Sequence, residues 1–405
     1  MIIVCFGHEW SSWVRRANII LMGLCKKRVA DKVIFFERPL TARNIYEYIT
    51  GRANYTVKER CTKLFKKGLW RQETDEITVV TPIIPAVFFR LRFVQHINEK
   101  IRTLQHVFIL NIILKRFKTA NTRLLLWFQR IEFNSVYIRY IPRYWKIVYD
   151  CTEDYIELLK NEHPLLLEKY RKDDAVITEK ADIITTVSRE YAGIKATTNR
   201  NTQWISNGVD YNRFCNGGAI HDGTMQRKHG PLLAFIGIVN KRHDIDVVLK
   251  LAQTYPYCSI ELVGSVDSAI ESMIKEKQIP NIRILPGLSL DEIPAYLQGV
   301  NVCLSFYKCD YLNSSGGSIK IYQYLASGKP IVAYPVADAE YFSDVIYLAQ
   351  NRTAFIEMAG IALNESPKDA RILKRKQYAQ QNDWSYKIEK FSRILIAELK
   401  NEMER

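Results

Sequence analysis

Short β-rich runs alternate with longer segments of helical period along this chain, and the alternation runs through it twice. Ile2–Phe6, Lys32–Phe36, Glu76–Val80, Leu124–Phe128, Lys146–Tyr149, Ile183–Val187 and Gln203–Ser206 form a first series. Leu232–Ile236, Ser259–Val263, Ile282–Leu285, Val302–Phe306 and Ile331–Tyr334 form a second. Strands separated by helices are joined by crossovers, so each series predicts a parallel sheet covered by helices. The fold class expected is α/β, with two Rossmann-like doubly wound domains facing across a cleft. A length of 405 residues agrees with two cores rather than one. The weakest patterning spans 215–230, rich in glycine and poor in large apolar residues, and marks a linker. The expected division is therefore 1–214, the linker 215–230, 231–383, and an amphipathic helix over 384–405 that caps or bridges the domains. Ligands of open α/β sheets bind at the carboxyl ends of the strands, which places the site in the cleft.

Several classes are excluded early. The longest apolar runs, such as Val107–Leu114, fall well short of the roughly 20 residues that span a bilayer. MIIVCF runs at once into Gly7, His8, Glu9 and Trp10 and reads as a first strand, not a secretory leader. The eight cysteines form no CxxC pair and have no His at metal-ligand spacing, which points to reduced, buried thiols in a cytoplasmic protein. No GxGxxG follows the first strand and no GxxxxGK[ST] occurs, so dinucleotide and P-loop nucleotide fingerprints are missing.

The formal charge of +15 is unevenly placed. Residues 1–150 hold 27 Lys/Arg against 11 Asp/Glu, whereas 151–405 hold 31 against 32. Within the basic part, Phe88–Lys118 mixes large apolar residues with Arg90, Arg92, Lys100, Arg102, Lys115, Arg116 and Lys118. Such a segment can lie on an anionic membrane surface with its cations at the headgroups. The predicted location is cytoplasmic, peripheral to the inner face of the plasma membrane. No RRM, KH, zinc-finger or helix-turn-helix pattern accompanies the charge, which argues against nucleic acid as a partner.

The second series carries the most informative stretch, Tyr311–Val332. Ser314, Ser315, Gly316 and Gly317 read as a small, flexible loop before a helix running from about Ile319 to Ala326. Unpaired N–H groups and the partial positive charge at a helix start suit a diphosphate, and Lys320 in the first turn gains stability only beside an anion. Arg242 stands in the loop after the first strand of this series, where a guanidinium can clamp a diphosphate bidentately.

These stretches carry a resemblance. Ile319–Val332, with KIYQYLASGKPIV, resembles the signature K-x-Y-E-Y-L-A-x-G-K-P-V-V of GT-B glycosyltransferases of the family 4 type. ADIITTVS (Ala181–Ser188), SNGVDYNRF (Ser206–Phe214), FIGIVNKRHDID (Phe235–Asp246) and NIRILPGLSLDEIPAYL (Asn281–Leu297) fall in the same order as in that family. The match covers roughly residues 145–385 and is nearest to the family's teichuronic-acid and xanthan branch. It implies a glycosyltransferase that moves a sugar from a nucleoside diphosphate sugar, UDP- or GDP-linked, to a surface-polysaccharide or lipid-linked glycan acceptor, with no cofactor and no metal. The second domain would bind the donor through Arg242, Ser314, Ser315, Gly316, Gly317, Lys320 and Gln323. The family commonly carries an acidic pair eight residues apart; here those positions hold Ser315 and Gln323. Gln323 can still hydrogen-bond a ribose hydroxyl, and Ser315 can donate to a phosphate that a carboxylate would repel.

On the acceptor side, sugar transfer needs a hydroxyl positioned and, in some enzymes, deprotonated. His8, after the first strand, is a candidate for contacting the sugar. The strand ending at Tyr149 delivers Asp150, Glu153 and Asp154 to the same edge, and Asp150 and Asp154 are the candidate bases. Two alternatives stay open on the sequence: a non-catalytic binding or scaffold subunit, suggested by the altered acidic pair, and a nucleotide-sugar epimerase or synthase on the same fold.

Overall fold

The structure, a computed structural model, describes residues 1–10, 15–84, 92–117, 123–131, 138, 145–160, 164–217 and 230–400. Most of the expected linker, 218–229, lies outside the described residues, as do 88–91 and 118 of the basic segment. The chain divides into two compact units. The first contains Met1–Thr186, Ala192–Gln203 and Phe391–Arg405; the second contains Val187–Tyr191 and Trp204–Lys390.

Strands β1 (Ile2–Phe6), β2 (Lys32–Phe36), β3 (Leu40–Thr41), β4 (Trp70–Gln72), β5 (Ile77–Val80), β6 (Ile83–Ile84), β7 (Leu124–Phe128), β8 (Lys146–Cys151), β9 (Ile183–Thr186) and β10 (Thr202–Trp204) come first in the chain. Eight of them make one sheet in the order β10-β9-β8-β7-β1-β2-β5-β4, and β3 pairs with β6 apart from it. From β9 through β5 the neighbours run parallel, and β4 closes the edge antiparallel to β5. All five residues of β1 and of β7 are buried, as strands covered on both faces must be. The helices of this part are α1 (Arg16–Lys26), α2 (Ala42–Ile49), α3 (Tyr55–Lys67), α4 (Arg92–Phe117), α5 (Tyr155–Leu158), α6 (Pro164–Lys180) and α7 (Arg189–Ala196). Two of these helices, α5 and α6, follow β8 in succession. The second starts with Pro164 as its first residue, where the missing N–H costs no hydrogen bond.

The second unit holds β11 (Leu232–Ile236), β12 (Ser259–Val263), β13 (Ile282–Leu285), β14 (Val302–Ser305), β15 (Ile331–Ala333) and β16 (Tyr347–Leu348). Their order is β13-β12-β11-β14-β15-β16, and every neighbouring pair is parallel. Its helices are α8 (Tyr211–Cys215), α9 (Ile245–Thr254), α10 (Ser268–Glu276), α11 (Glu292–Gln298), α12 (Tyr311–Ser315), α13 (Ile319–Ser327), α14 (Arg352–Leu363), α15 (Ala370–Gln381) and the part of α16 (Trp384–Lys400) up to Lys390. Alternation along β11 splits the core in two. Leu233 and Phe235 pack on one face with Val247 and Val248 of α9 and Phe355 of α14; Leu232, Ala234 and Ile236 pack on the other with Ile321, Tyr324 and Leu325 of α13. Both units are Rossmann-like.

The NGVD stretch turns out to be a clasp. Val209 N donates to Asn382 O at 3.1 Å, Trp384 N returns to Val209 O at 3.0 Å, and Asp383 accepts from Tyr211 N at 2.9 Å.

Candidate functional site

In both sheets the strand order reverses beside the first strand, between β1 and β7 and between β11 and β14. At such a switch point the flanking loops part and leave a crevice at the carboxyl ends of the strands. Each unit therefore presents one defined edge, and the candidate residues can be placed against it.

In the first unit, Gly7 follows β1. A methyl there would meet the Phe35 ring at 2.2 Å, so only glycine lets the chain turn over β2. The turn carries His8 to the end of β8, where its Nε2 lies 2.7 Å from the hydroxyl of Tyr155. Burial pushes the His8 pKa well below the usual histidine range, and the charges of Arg130, Arg15 and Arg38 push the same way. At neutral pH this imidazole is uncharged.

Asp150 is placed otherwise than expected. It is fully buried, and its carboxylate accepts from Thr185 Oγ1 at 2.7 Å, Arg16 Nε at 3.2 Å and Gln129 Nε2 at 3.4 Å. Fixed from three sides beneath the edge, it braces β7, β8, β9 and α1 and is not offered to a substrate. Asp154 caps α5, its Oδ1 accepting from Ile156 N and Glu157 N at 3.0 and 3.1 Å, and is half-buried. Its neighbour Tyr155 is what joins this segment to His8. Glu37, just past β2, escaped the sequence reading: buried, it takes hydrogen bonds from Trp10 N, Arg71 Nη2 and Thr81 Oγ1 at 2.7, 2.9 and 2.5 Å.

The second unit gathers a set of cations. Gly237, at the end of β11, has a φ of +140°, and a methyl on it would stand 2.2 Å from Lys320 Cε and 2.8 Å from Nζ. The lysine of α13 thus runs across a glycine that has no side chain to block it. Lys320 Nζ donates to Tyr307 Oη at 3.0 Å and lies 5.3 Å from the centre of the Phe235 ring. Behind this group His243 is packed among Phe235, Phe306 and Tyr307, with ring centres 5.1, 5.4 and 4.4 Å away. Burial first, and then the Lys320 charge, push its pKa down to about 3. It is a neutral spacer that does not compete for the anion Lys320 would bind.

Arg242 Nε donates to Asn313 Oδ1 at 2.9 Å, while Asn313 Nδ2 reaches the carbonyls of Lys308 and Arg242 at 2.8 and 3.2 Å. The arginine lies over Gly316: a methyl placed there would be 3.6 Å from Nη2. The expected Ser314–Gly317 loop needs correction. Ser314 and Ser315 end α12, and Ser315 is fully buried with its hydroxyl donating to Leu312 O at 3.1 Å. The helix claims this hydroxyl, so it does not point to a phosphate. Gly316, Gly317 and Ser318 connect α12 to α13. Ser318 takes up the position at the start of α13, but it makes no capping bond, and its buried hydroxyl has no hydrogen-bond partner. A helix start left uncapped beside Lys320 and Arg242 is a set of donors awaiting an acceptor. Gln323 lies buried one turn further along α13.

Asp244 and Asp246, which have DxD spacing, are both taken by Arg352, at 2.7 and 2.8 Å. Among the described residues no group of three or more His, Cys, Asp or Glu stands at metal-binding distance.

Both histidines bear on acid stability. In the unfolded chain each takes up a proton near pH 6.5, but in the fold it does so only at lower pH. Stability is therefore complete above about pH 6.5 and falls as the pH drops towards the folded values, by up to about 1.4 kcal/mol per unit for each group. For His243 the decline runs down to about pH 3. Denaturant unfolding at successive pH values from neutral to 5 should show it. His243→Gln should flatten the slope by one group's share; an unchanged slope would mean that His243 titrates normally.

No family model matches the chain. Over 200 residues it is 26% identical to the putative teichuronic acid biosynthesis glycosyltransferase TuaH of Bacillus subtilis (strain 168), a stretch covering 46% of this chain and 50% of that protein. The chain thus matches about half the length of this curated relative. Solved structures align over nearly all of it. The sucrose-phosphate synthase of Thermosynechococcus elongatus superposes with a TM-score of 0.71 at 12% identity, covering 99% of both chains. The chain has the GT-B fold. Two further GT-B structures agree: a trehalose-6-phosphate protein from E. coli bound with UDP-2-fluoro glucose, TM-score 0.69, 10% identity, covering 96% and 98%, and WaaG, a glycosyltransferase involved in lipopolysaccharide biosynthesis, TM-score 0.64, 12% identity, covering 97% and 99%. At these identities it is the GT-B architecture that is shared, so the chemistry has to come from the residues described above.

Proposed function

We propose that this protein is a glycosyltransferase that moves a sugar from a nucleoside diphosphate sugar, UDP- or GDP-linked, to a surface-polysaccharide or lipid-linked glycan. The uncapped start of α13 carries the proposal, with the orphaned Ser318 hydroxyl, Lys320 in the first turn and Arg242 over the preceding Gly316. Anions are stabilised at helix starts, and fixed cations there are worth most on a leaving diphosphate, where charge develops during transfer. Gln323 would hydrogen-bond the ribose, and the neutral His8 would contact the acceptor sugar, with the capped Asp154 nearby as the remaining candidate base. Lys320, Arg242 and the helix dipole supply the positive charge that the leaving group needs.

A membrane-side acceptor is favoured by the first unit. On α4, Phe93, Leu104 and Phe108 are exposed, and Lys100 and Lys115 are exposed with them. The proposed location is the cytoplasmic face of the plasma membrane. No helix among the described residues is long and apolar enough to cross a membrane.

Thermal unfolding against UDP-, GDP- and dTDP-sugars tests the donor site, because a ligand held only by the fold raises its melting temperature with concentration. One nucleotide is expected to stabilise, and Arg242→Ala and Lys320→Ala should each lose the shift and lower transfer by roughly a hundredfold or more. No shift with any nucleotide would refute the enzyme; intact function in both variants would favour a scaffold.

A further inference from the structure

Three neighbouring strands of the first sheet, in the order β7-β1-β2, end level with one another. Phe6, the last residue of β1, is paired with Phe128 of β7 and with Phe36 of β2, the last residues of those strands. Residues equally far past these ends therefore share a row across the carboxyl edge. The ladder runs on beyond the strands: Gln129 N donates to Phe6 O at 3.0 Å, Gly7 N to Phe36 O at 3.1 Å and Arg38 N to His8 O at 2.7 Å. Two residues past each end stand Arg130, His8 and Arg38. At a strand spacing of about 4.8 Å, one imidazole-bearing residue sits between two guanidinium-bearing ones in a row roughly 10 Å long.

The carboxylates of this edge are committed to other arginines. Glu9 lies 2.6 Å from Arg15 Nη2, Glu37 lies 2.9 Å from Arg71 Nη2 and 3.7 Å from Arg60 Nε, and Asp150 is held by Arg16. The charges that bear on the His8 ring are of one sign, those of Arg130, Arg15 and Arg38. Helix α1, which follows β1, adds to them: its start has neither a capping side chain nor an acid in the first turn. Arg130 is buried, His8 half-buried and Arg38 exposed. A buried guanidinium acts where water screens it least. An exposed one in the same row offers a planar fork of donors that matches a carboxylate or a phosphate. Like charges gathered about an uncharged ring repel one another until an anion enters, and a neutral sugar would leave that repulsion standing. The donor diphosphate already has Arg242 and Lys320 in the second unit, which leaves the first unit's row for the acceptor.

We propose that Arg38, backed by the charge of Arg130, holds an anionic group carried by the acceptor sugar itself, a carboxylate or a phosphate, so that the sugar beside His8 belongs to an acidic glycan. The inference deepens the proposed function and rests on it for naming the ligand as the acceptor; binding of the acidic sugar does not depend on transfer.

The test is NMR of the full chain carrying isotope-labelled histidine, at constant ionic strength, with the His8 signal identified by its absence from His8→Gln. The probes are glucuronate, glucose 6-phosphate, glucose, inorganic phosphate and UDP. At least one acidic sugar should move the His8 signal saturably, with glucose and inorganic phosphate weaker by about tenfold or more. A response to glucuronate alone assigns a uronate acceptor, and a response to glucose 6-phosphate alone assigns a phosphorylated one. Arg38→Gln should weaken the acidic sugar by about tenfold or more, and an unaltered melting temperature shows that this variant is folded. A His8 signal that answers glucose as readily as the acidic sugars overturns the proposal, as does one that answers UDP but neither acidic sugar. So does inorganic phosphate as effective as the acidic sugars, or an acidic-sugar affinity that Arg38→Gln leaves unchanged. The melting shift caused by a nucleotide is measured separately, so failure of this inference is distinguished from failure of the donor site.

Discussion

Alanine at Gly237 is expected to remove donor binding while leaving every charge of the site in place. The added methyl would stand 2.2 Å from Lys320 Cε, in a backbone with φ of +140°. Glycine takes that conformation freely; other residues are strained there by roughly 1–3 kcal/mol. The lysine tip can swing away from the methyl, but only by leaving Tyr307 and the start of α13. The lysine would thus be misplaced rather than deleted, and the loss in kcat/KM should approach that of Lys320→Ala, on the order of a hundredfold to a thousandfold. Steady-state kinetics of the two single variants and the double variant check this. Both changes act through one side chain, so the double should be little worse than either single. A Gly237→Ala protein with unaltered nucleotide affinity would show that Lys320 takes no part in donor binding.

The second large effect concerns stability. Asp150→Ala leaves Arg16, itself buried, without its carboxylate partner. Removing one member of a buried ion pair costs about 3–5 kcal/mol, because the remaining charge stays desolvated. In a unit of roughly 200 residues that corresponds to a drop in melting temperature on the order of 10 °C. Replacing both partners with apolar residues, Arg16→Met with Asp150→Leu, should recover most of the loss. If Asp150 were instead the catalytic base, Asp150→Ala would melt like the unmodified protein and lack activity. Calorimetry and a transfer assay on the same sample distinguish the two.

The fold was largely legible because its signal is long-range. Five consecutive buried residues in β1 and again in β11, each followed by a helical stretch, leave few arrangements other than a parallel sheet. What escaped was short: β3, β4, β6 and β16 have two or three residues each, too few to show a period. The site was legible in part. Lys320 and Arg242 could be found because a cation at a helix start, or in the first loop of a sheet, stands against a local electrostatic preference. Tyr307 and His243 gave no such sign; they matter through packing around Lys320, and their contacts come from strands and loops distant in sequence. Asp150 shows the opposite failure. A carboxylate at a strand end looks the same in sequence whether it faces water or a buried arginine, and the partners that decide it, Arg16 and Thr185, lie far from it along the chain.

Helix α16 has a further consequence, for the order in which the protein can be finished. Its residues up to Lys390 belong to the second unit, and those from Phe391 onward to the first. There Phe391 lies against Trp127 at 5.2 Å and under the guanidinium of Arg16 at 5.3 Å. During synthesis, at roughly 5–20 residues per second, the strands of the first unit leave the ribosome well before the segment that covers them. Trp127 and Arg16 must wait, incompletely covered, while the whole second unit is made. The first unit is started early and closed late, so a nascent chain halted just before Phe391 holds one unit that can mature and one that cannot.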